Sequence, residues 1–271
     1  CIPLNFSMEK TMNLKSKIVL ALLATSSAAF AQTAPVAPEV TYNVGVVSQY
    51  RYRGIAQTKG DAALQGGVDY ANANGFYLGA WGSTIKWIKD AALETGNANA
   101  KQAKGPVELD LYGGYKFEAA GIAYDVGYLR YEYVGNTYKD ASSANVNANT
   151  DEVYGAATYG PATLKYSQAI SNLFGYSDSK GSTYWDLSAT FDLGSGYSLV
   201  PHAGRQSIKN ANQIYGYSDF ALTLNKDLGD GLSASVAAIK TTADETLSKG
   251  LSSTNYYAGK NALVVGVKYA F

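Results

Sequence analysis

Cysteine, histidine and a surplus of charge are what this chain has least of, and each shortage removes a class of function. The one cysteine, Cys1, stands before any apolar run, so it cannot be the acylated residue of a lipoprotein. Everything after it lacks a thiol for disulfide, metal or redox chemistry. One histidine, His202, leaves a nitrogen- and sulfur-ligated zinc site without its ligands. Basic and acidic residues balance at 22 each, which offers nucleic acid no basic face. The loop acids Glu94, Asp140, Asp151, Asp178, Asp244 and Glu245 lack the spacing of a calcium loop, and no phosphate-cradling glycine loop is present. No cofactor is expected. Beyond residue 31 no stretch approaches the roughly 20 apolar residues that a membrane helix needs.

What is present begins with an export signal. Met12-Asn-Leu-Lys15-Ser-Lys17 is a short basic start, Ile18 to Ala24 is an apolar run too short to span a bilayer, and Ala29-Phe30-Ala31 is an A-x-A cleavage site. Residues 1–31 are read as upstream residues plus a cleaved signal peptide, with translation beginning at Met12 or Met8. Residues 32–39, which hold two prolines, read as a flexible lead-in. Residues 40–271 form the folded part.

The C-terminus shows how that part meets a membrane. Leu263, Val265, Val267, Tyr269 and Phe271 share one face of an extended strand, and Val264, Gly266, Lys268 and Ala270 the other. An apolar stripe alternating with small or charged residues, ending in an aromatic, reads as a transmembrane β-strand. Tyr269 and Phe271 resemble the assembly signal that the outer-membrane barrel-assembly machinery recognises. Period-two segments recur near residues 40–53, 63–72, 76–85, 107–118, 122–134, 152–159, 162–171, 183–193, 197–208, 217–227, 232–242 and 261–271. That is twelve strands. Tyrosine, with 23 residues, suits the two interfaces of a membrane barrel, because its ring is apolar and its hydroxyl wet.

The connections sort by parity. Asn74-Gly75, Ala120-Gly121, Gly160-Pro161, Gly194-Ser195-Gly196 and Asp230-Gly231 are tight hairpin turns. The intervening connections, Gly54 to Ala62, Lys86 to Pro106, Gly135 to Asp151, Asn172 to Ser182, Lys209 to Gly216 and Ala243 to Lys260, are longer and polar. Short turns on the periplasmic side and long loops outside the cell are the expected layout. The fold class is all-β: one transmembrane antiparallel β-barrel in the outer membrane of a Gram-negative bacterium.

Several segments carry a family resemblance over nearly the whole of residues 40–271. They include Ser48-Gln-Tyr-Arg-Tyr-Arg53-Gly54, Leu64-Gln65-Gly66-Gly67-Val68-Asp69-Tyr70, Gly75-Phe76-Tyr77-Leu-Gly79-Ala-Trp81, Glu108-Leu-Asp110-Leu-Tyr112, Tyr159-Gly160-Pro161 and His202-Ala-Gly204-Arg205. The chain resembles the TorF family of outer-membrane porins, bacterial β-barrels of the Gcw_chp type. Tyr52 departs conservatively from the phenylalanine expected at its place. The resemblance implies a porin and brings no substrate.

Period two places Arg51, Arg53, Gln65 and Asp69 on the polar faces of the first two strands, converging inside the barrel near its outer half. They are read either as a charged constriction or as an internal salt-bridge network from the arginines to Asp69 or Glu108. Further pore-lining candidates are Glu108, Asp110, Lys116, Asp125, Lys165, Asp186, His202 and Lys268, with Glu118 and Arg205 also on polar faces. The signs are mixed and assign neither anion nor cation preference. Gly67, Gly114, Gly127 and Gly266 either open the bore or relieve crowding. Trp81, Trp87 and Trp185 are read as interface or packing residues. His202 has Gly204, not a serine, at the next same-face position, so an outer-membrane phospholipase triad is not supported. The expected function is passive diffusion of small polar solutes, with outer-membrane lipid and lipopolysaccharide as surroundings. The alternative is a non-conducting structural or adhesive barrel that presents its loops.

Overall fold

Outward aliphatic and aromatic side chains alternating with small or polar inward ones build a closed cylinder. In the computed structural model, residues 39–91, 103–140, 145–211, 215–245 and 256–271 are described. The signal peptide, most of the lead-in and loop residues such as Glu94 lie outside them. The strands are β1 (Glu39–Val47), β2 (Arg51–Tyr52), β3 (Ile55–Ala56), β4 (Ala63–Ala71), β5 (Phe76–Thr84), β6 (Val107–Ala119), β7 (Ile122–Tyr133) and β8 (Thr150–Tyr159). They continue with β9 (Ala162–Ala169), β10 (Thr183–Ala189), β11 (Phe191–Gly194), β12 (Tyr197–Ser207), β13 (Tyr217–Gly229), β14 (Leu232–Thr241) and β15 (Ala262–Ala270).

All wall strands pair antiparallel with their sequence neighbours. β12 pairs with both β10 and β11, and β1 pairs with β15, so the ring has no free edge. β10 and β11 form one wall strand interrupted at Thr190, whose amide still donates to the Pro161 carbonyl at 2.9 Å. The wall is therefore the expected twelve-stranded barrel. Closure satisfies every ladder from within, the condition for crossing lipid with strands.

The tight turns fall where the glycines predict. Ala120-Gly121, Ser195-Gly196 and Asp230-Gly231 have positive φ at both central residues, the type I′ form whose twist matches the flanking strands. Outward positions carry a lipid-facing stripe: Leu64, Leu78, Leu222 and Leu263 are each about half exposed or more, Leu78 and Leu263 at 65%. An aromatic girdle closes the stripe at the short-turn end. Phe76, Tyr115, Phe117 and Tyr124 follow one another at centroid distances of 4.8, 5.9 and 5.0 Å. Trp185 also faces outward, against Tyr166. Arg205 does too: it pairs in register with Trp185, so its expected polar-face position is corrected to the outer surface.

The C-terminal residue seals the seam. Phe271 exchanges two backbone hydrogen bonds with Tyr42, at 2.8 and 2.9 Å, and its ring stacks on those of Tyr42 and Tyr269. Each such ring pair contributes about 0.5–1.5 kcal/mol beyond burial. Phe271→Asp is expected to lower the yield of heat-modifiable barrel in the outer membrane; a normal yield would separate the seam from assembly.

Candidate functional site

The first long loop does not stay outside. The expected first strand, 40–53, ends at Val47, and the chain folds inward as the hairpin of β2 and β3. Arg53 (φ 46°) and Gly54 (φ 76°) form its two-residue turn. A left-handed arginine costs roughly 1 kcal/mol, so something must hold it. Its guanidinium donates to Glu152 Oε2 and to Gln206 Oε1, both at 2.7 Å, and lies 4.2 Å from the centre of the Tyr184 ring. Gly54 is pressed so closely on Asp219 and Thr241 that a Cβ there would overlap both side chains. Arg51 and Arg53 are thus corrected from wall positions on the first strand to the tip of a plug. The expected pairing with Asp69 or Glu108 gives way to Arg53 with Glu152.

The hairpin reaches most of the wall. Tyr50 donates to Glu108 Oε1 on β6 at 2.6 Å and packs edge-on against Trp81 of β5. The Tyr52 hydroxyl meets that of Tyr131 on β7, and Tyr131 bonds Glu152 on β8 at 3.2 Å. Arg51 forms no ion pair among the described residues and donates to the carbonyls of Gly54, Ala258 and Lys260, at 3.0, 2.7 and 3.0 Å. The base of the loop is fixed by Gln57, whose carbonyl accepts from Lys86 and Trp87 at 2.8 and 3.1 Å. Lys86 also bonds Asp61 at the surface and holds that exposed carboxyl below its usual range; solvent screens such a pair. Val47, Ile85, Ile88, Leu129 and Tyr133 form one buried apolar cluster with Tyr50, and Tyr52 packs against it.

Below this layer the lumen is lined by tyrosines and mixed charges. Tyr77 donates to Asp125 at 2.6 Å and meets the Tyr154 hydroxyl, while Tyr112 donates to Asp69. The ammonium groups of Lys116 and Lys165 lie 4.8 and 4.0 Å from the centres of the Tyr77 and Tyr154 rings. Gln65 donates to Ser83 at 3.3 Å, and Lys268 points inward from β15. Tyr77, Tyr112 and Tyr154 each lie across the glycine opposite on the next strand: Gly114, Gly79 and Gly127. A Cβ at any of the three would overlap the ring. Gly114 and Gly127 therefore relieve crowding, and the space they leave is occupied.

Midway up, His202 Nε2 lies 3.2 Å from Asp186 Oδ2 and 3.3 Å from the Tyr184 hydroxyl, which itself donates to Asp219 at 3.0 Å. The structure thus brings Arg53 into the outer layer with Glu108 and Asp110, and leaves Asp69, Lys116, Asp125, Lys165 and Lys268 in the half nearer the short turns. Glu152, Gln206, Asp219 and the inward tyrosines were not singled out from the sequence. Their signal was available: each falls on the inward parity of its strand.

The fold is that of the outer-membrane porins. The KdgM porin, solved in a complex with disordered oligogalacturonate, superposes with a TM-score of 0.50 at 8% identity, over 86% of this chain and 98% of that one. The NanC porin gives a TM-score of 0.50 at 11% identity, over 85% and 99%. The COG4313 outer membrane channel from Pseudomonas putida F1 gives 0.46 at 14%, over 88% and 96%. No curated protein matches the sequence. Residues 31–271 match the model of the family described as "Bacterial protein of unknown function (Gcw_chp)", and the chain belongs to that family.

Breaking a buried pair by removing one partner costs about 3–5 kcal/mol, because a charge is left without compensation. The ring of wall strands closes without the hairpin, so this loss should appear as hairpin release. A thiol introduced by Ala56→Cys, at a position now buried, is expected to resist a maleimide and to react ~100-fold or more faster once Arg53→Ala is added. Unchanged protection would show that the pair does not hold the plug.

Proposed function

We propose that the barrel is a channel of the bacterial outer membrane through which small polar solutes diffuse passively, with its rate set where the first loop crosses the lumen. The observation that carries this reading is polar atoms left without a protein partner deep inside. Asp110 Oδ1 and Thr223 Oγ1 have no hydrogen-bond partner among the described residues, and both residues are only 2% exposed. A buried carboxylate cannot stay dry at such a position without a cost of several kcal/mol. Water or a solute in the lumen would complete the hydrogen bonding of these atoms. The half-buried charges nearer the short turns, Asp69, Lys116, Asp125 and Lys165, describe the same wet interior. The resemblance to the TorF porins points the same way.

Passage through the outer membrane implies the rest of the reading: export, insertion by the barrel-assembly machinery through the Tyr269–Phe271 end, and a wall surrounded by lipid and lipopolysaccharide. This reading assigns no catalytic role to His202, because the next same-face position is Gly204 and not a serine.

A second reading, a non-conducting barrel that presents loops, draws on the burial of the hairpin layer. Planar-bilayer recording separates the two. Refolded wild-type protein is expected to give small steady conductance, and replacing residues 51–56 by a short glycine turn is expected to raise it. Silence from both, in protein shown to be folded, would establish the second reading.

A further inference from the structure

We infer that the outer half of this lumen selects cations, and that the acidic pair Glu108 and Asp110 forms its filter. The inference rests on the channel reading for its consequence in transport, though not for the binding of the cation itself.

Five carboxylates are buried in and just below the hairpin layer: Glu108, Asp110, Glu152, Asp186 and Asp219. Three have a basic neighbour. Arg53 is committed to Glu152 and Gln206. Lys165 stands directly opposite Asp186 across the β9–β10 ladder. His202 lies between Asp186 and Asp219, 3.2 and 3.5 Å away. Arg51, the remaining guanidinium of the loop, is turned to backbone carbonyls. Glu108 and Asp110 form no ion pair among the described residues. They sit two apart on β6, both inward and both almost wholly buried. Glu108 accepts from two tyrosine hydroxyls, Tyr50 and Tyr133, and from no cation among the described residues. Asp110 Oδ1 has no hydrogen-bond partner among the described residues.

Two carboxylates side by side in a low-dielectric layer repel each other and are costly to bury. Tyrosine hydroxyls can donate to them but cannot neutralise them. A barrel that only filled its interior would gain stability from amides or apolar groups there. What complements the pair is a small monovalent cation, a metal ion or an ammonium group, arriving from solution. Acidic rings at a narrow point are a known physical route to cation preference, because they attract counter-ions and repel anions over a short, poorly screened path.

The test combines an electrical and a thermal measurement on refolded full-length protein. In a bilayer bearing a KCl gradient, wild type is expected to show a reversal potential of the sign for K+ over Cl−. The isosteric double variant Glu108→Gln/Asp110→Asn should move it toward zero, whereas Glu118→Gln, at the exposed rim, should leave it in place. In detergent, wild type should melt at a higher temperature in KCl than in N-methyl-D-glucamine chloride of equal ionic strength, and the double variant should show no such difference. Anion preference, or a reversal potential unchanged in the double variant, would overturn the inference. A silent barrel whose melting still depends on K+ through these two residues would keep the cation site and sink the channel. A silent barrel without that dependence would remove both.

Discussion

Closure of the backbone hydrogen-bond ring is the constraint on which the rest of this structure depends. In hydrocarbon an unpaired amide or carbonyl has no water to turn to. Every wall strand must therefore find two neighbours, and the first strand must find the last. The β1–β15 seam does this, and Phe271 finishes it with its own main chain and a stacked ring. The interrupted strand of β10 and β11 is tolerated because Thr190 stays bonded to Pro161 on one side while β12 bridges both pieces. Once the ring is closed, side-chain parity follows without further choice. Odd and even positions become lipid and lumen, and the chemistry of each face can be selected almost independently.

Inside, the main conflict is between volume and polarity. Lumen-facing tyrosines bring large rings into a narrow space, and the glycines opposite them supply the room. Gly79, Gly114 and Gly127 each face such a ring across one ladder. The ring covers the thin point that a glycine leaves in a strand. Its hydroxyl then reaches a carboxylate on the same face, as Tyr77 does for Asp125 and Tyr112 for Asp69. Tyrosine thus does two jobs in this chain. It forms the girdle outside, where one end is wet, and a hydroxyl-bearing lining inside.

Much of the wall was legible because period two is a backbone property: a strand that spans lipid cannot hide its alternation. The twelve segments and their tight turns follow from it, and so does the inward aim of Glu108, Asp110, Lys116 and Asp186. The plug was not legible. Ser48 to Arg53 continues the alternating pattern of the first strand, so nothing local marks Val47 as its end. The turn that reverses it has arginine where a type I′ turn favours asparagine or aspartate, and tertiary partners, Glu152, Gln206 and the Tyr184 ring, hold it there. Lumen partners were missed for a related reason. Glu152 and Asp219 sit on the correct parity, yet which charges meet across a barrel depends on register and loop path, which one strand's sequence does not state. The inward tyrosines looked like girdle residues because composition carries no direction.

The chemistry of the plug bears on what the barrel is for. A permanent stopper would be most stable if apolar, because a buried ion pair gains little over well-packed hydrophobic groups. This hairpin is anchored at its tip by Arg53 and Glu152, and Tyr50 and Tyr52 join its base to a buried apolar cluster. Charge-assisted bonds at the tip fix position and register, while water can take them over if the tip moves. Around it lie further acids, and Asp110 Oδ1 among them has no hydrogen-bond partner among the described residues. An interior built in this way is arranged for contents that change, which favours transport over a filled and purely structural barrel.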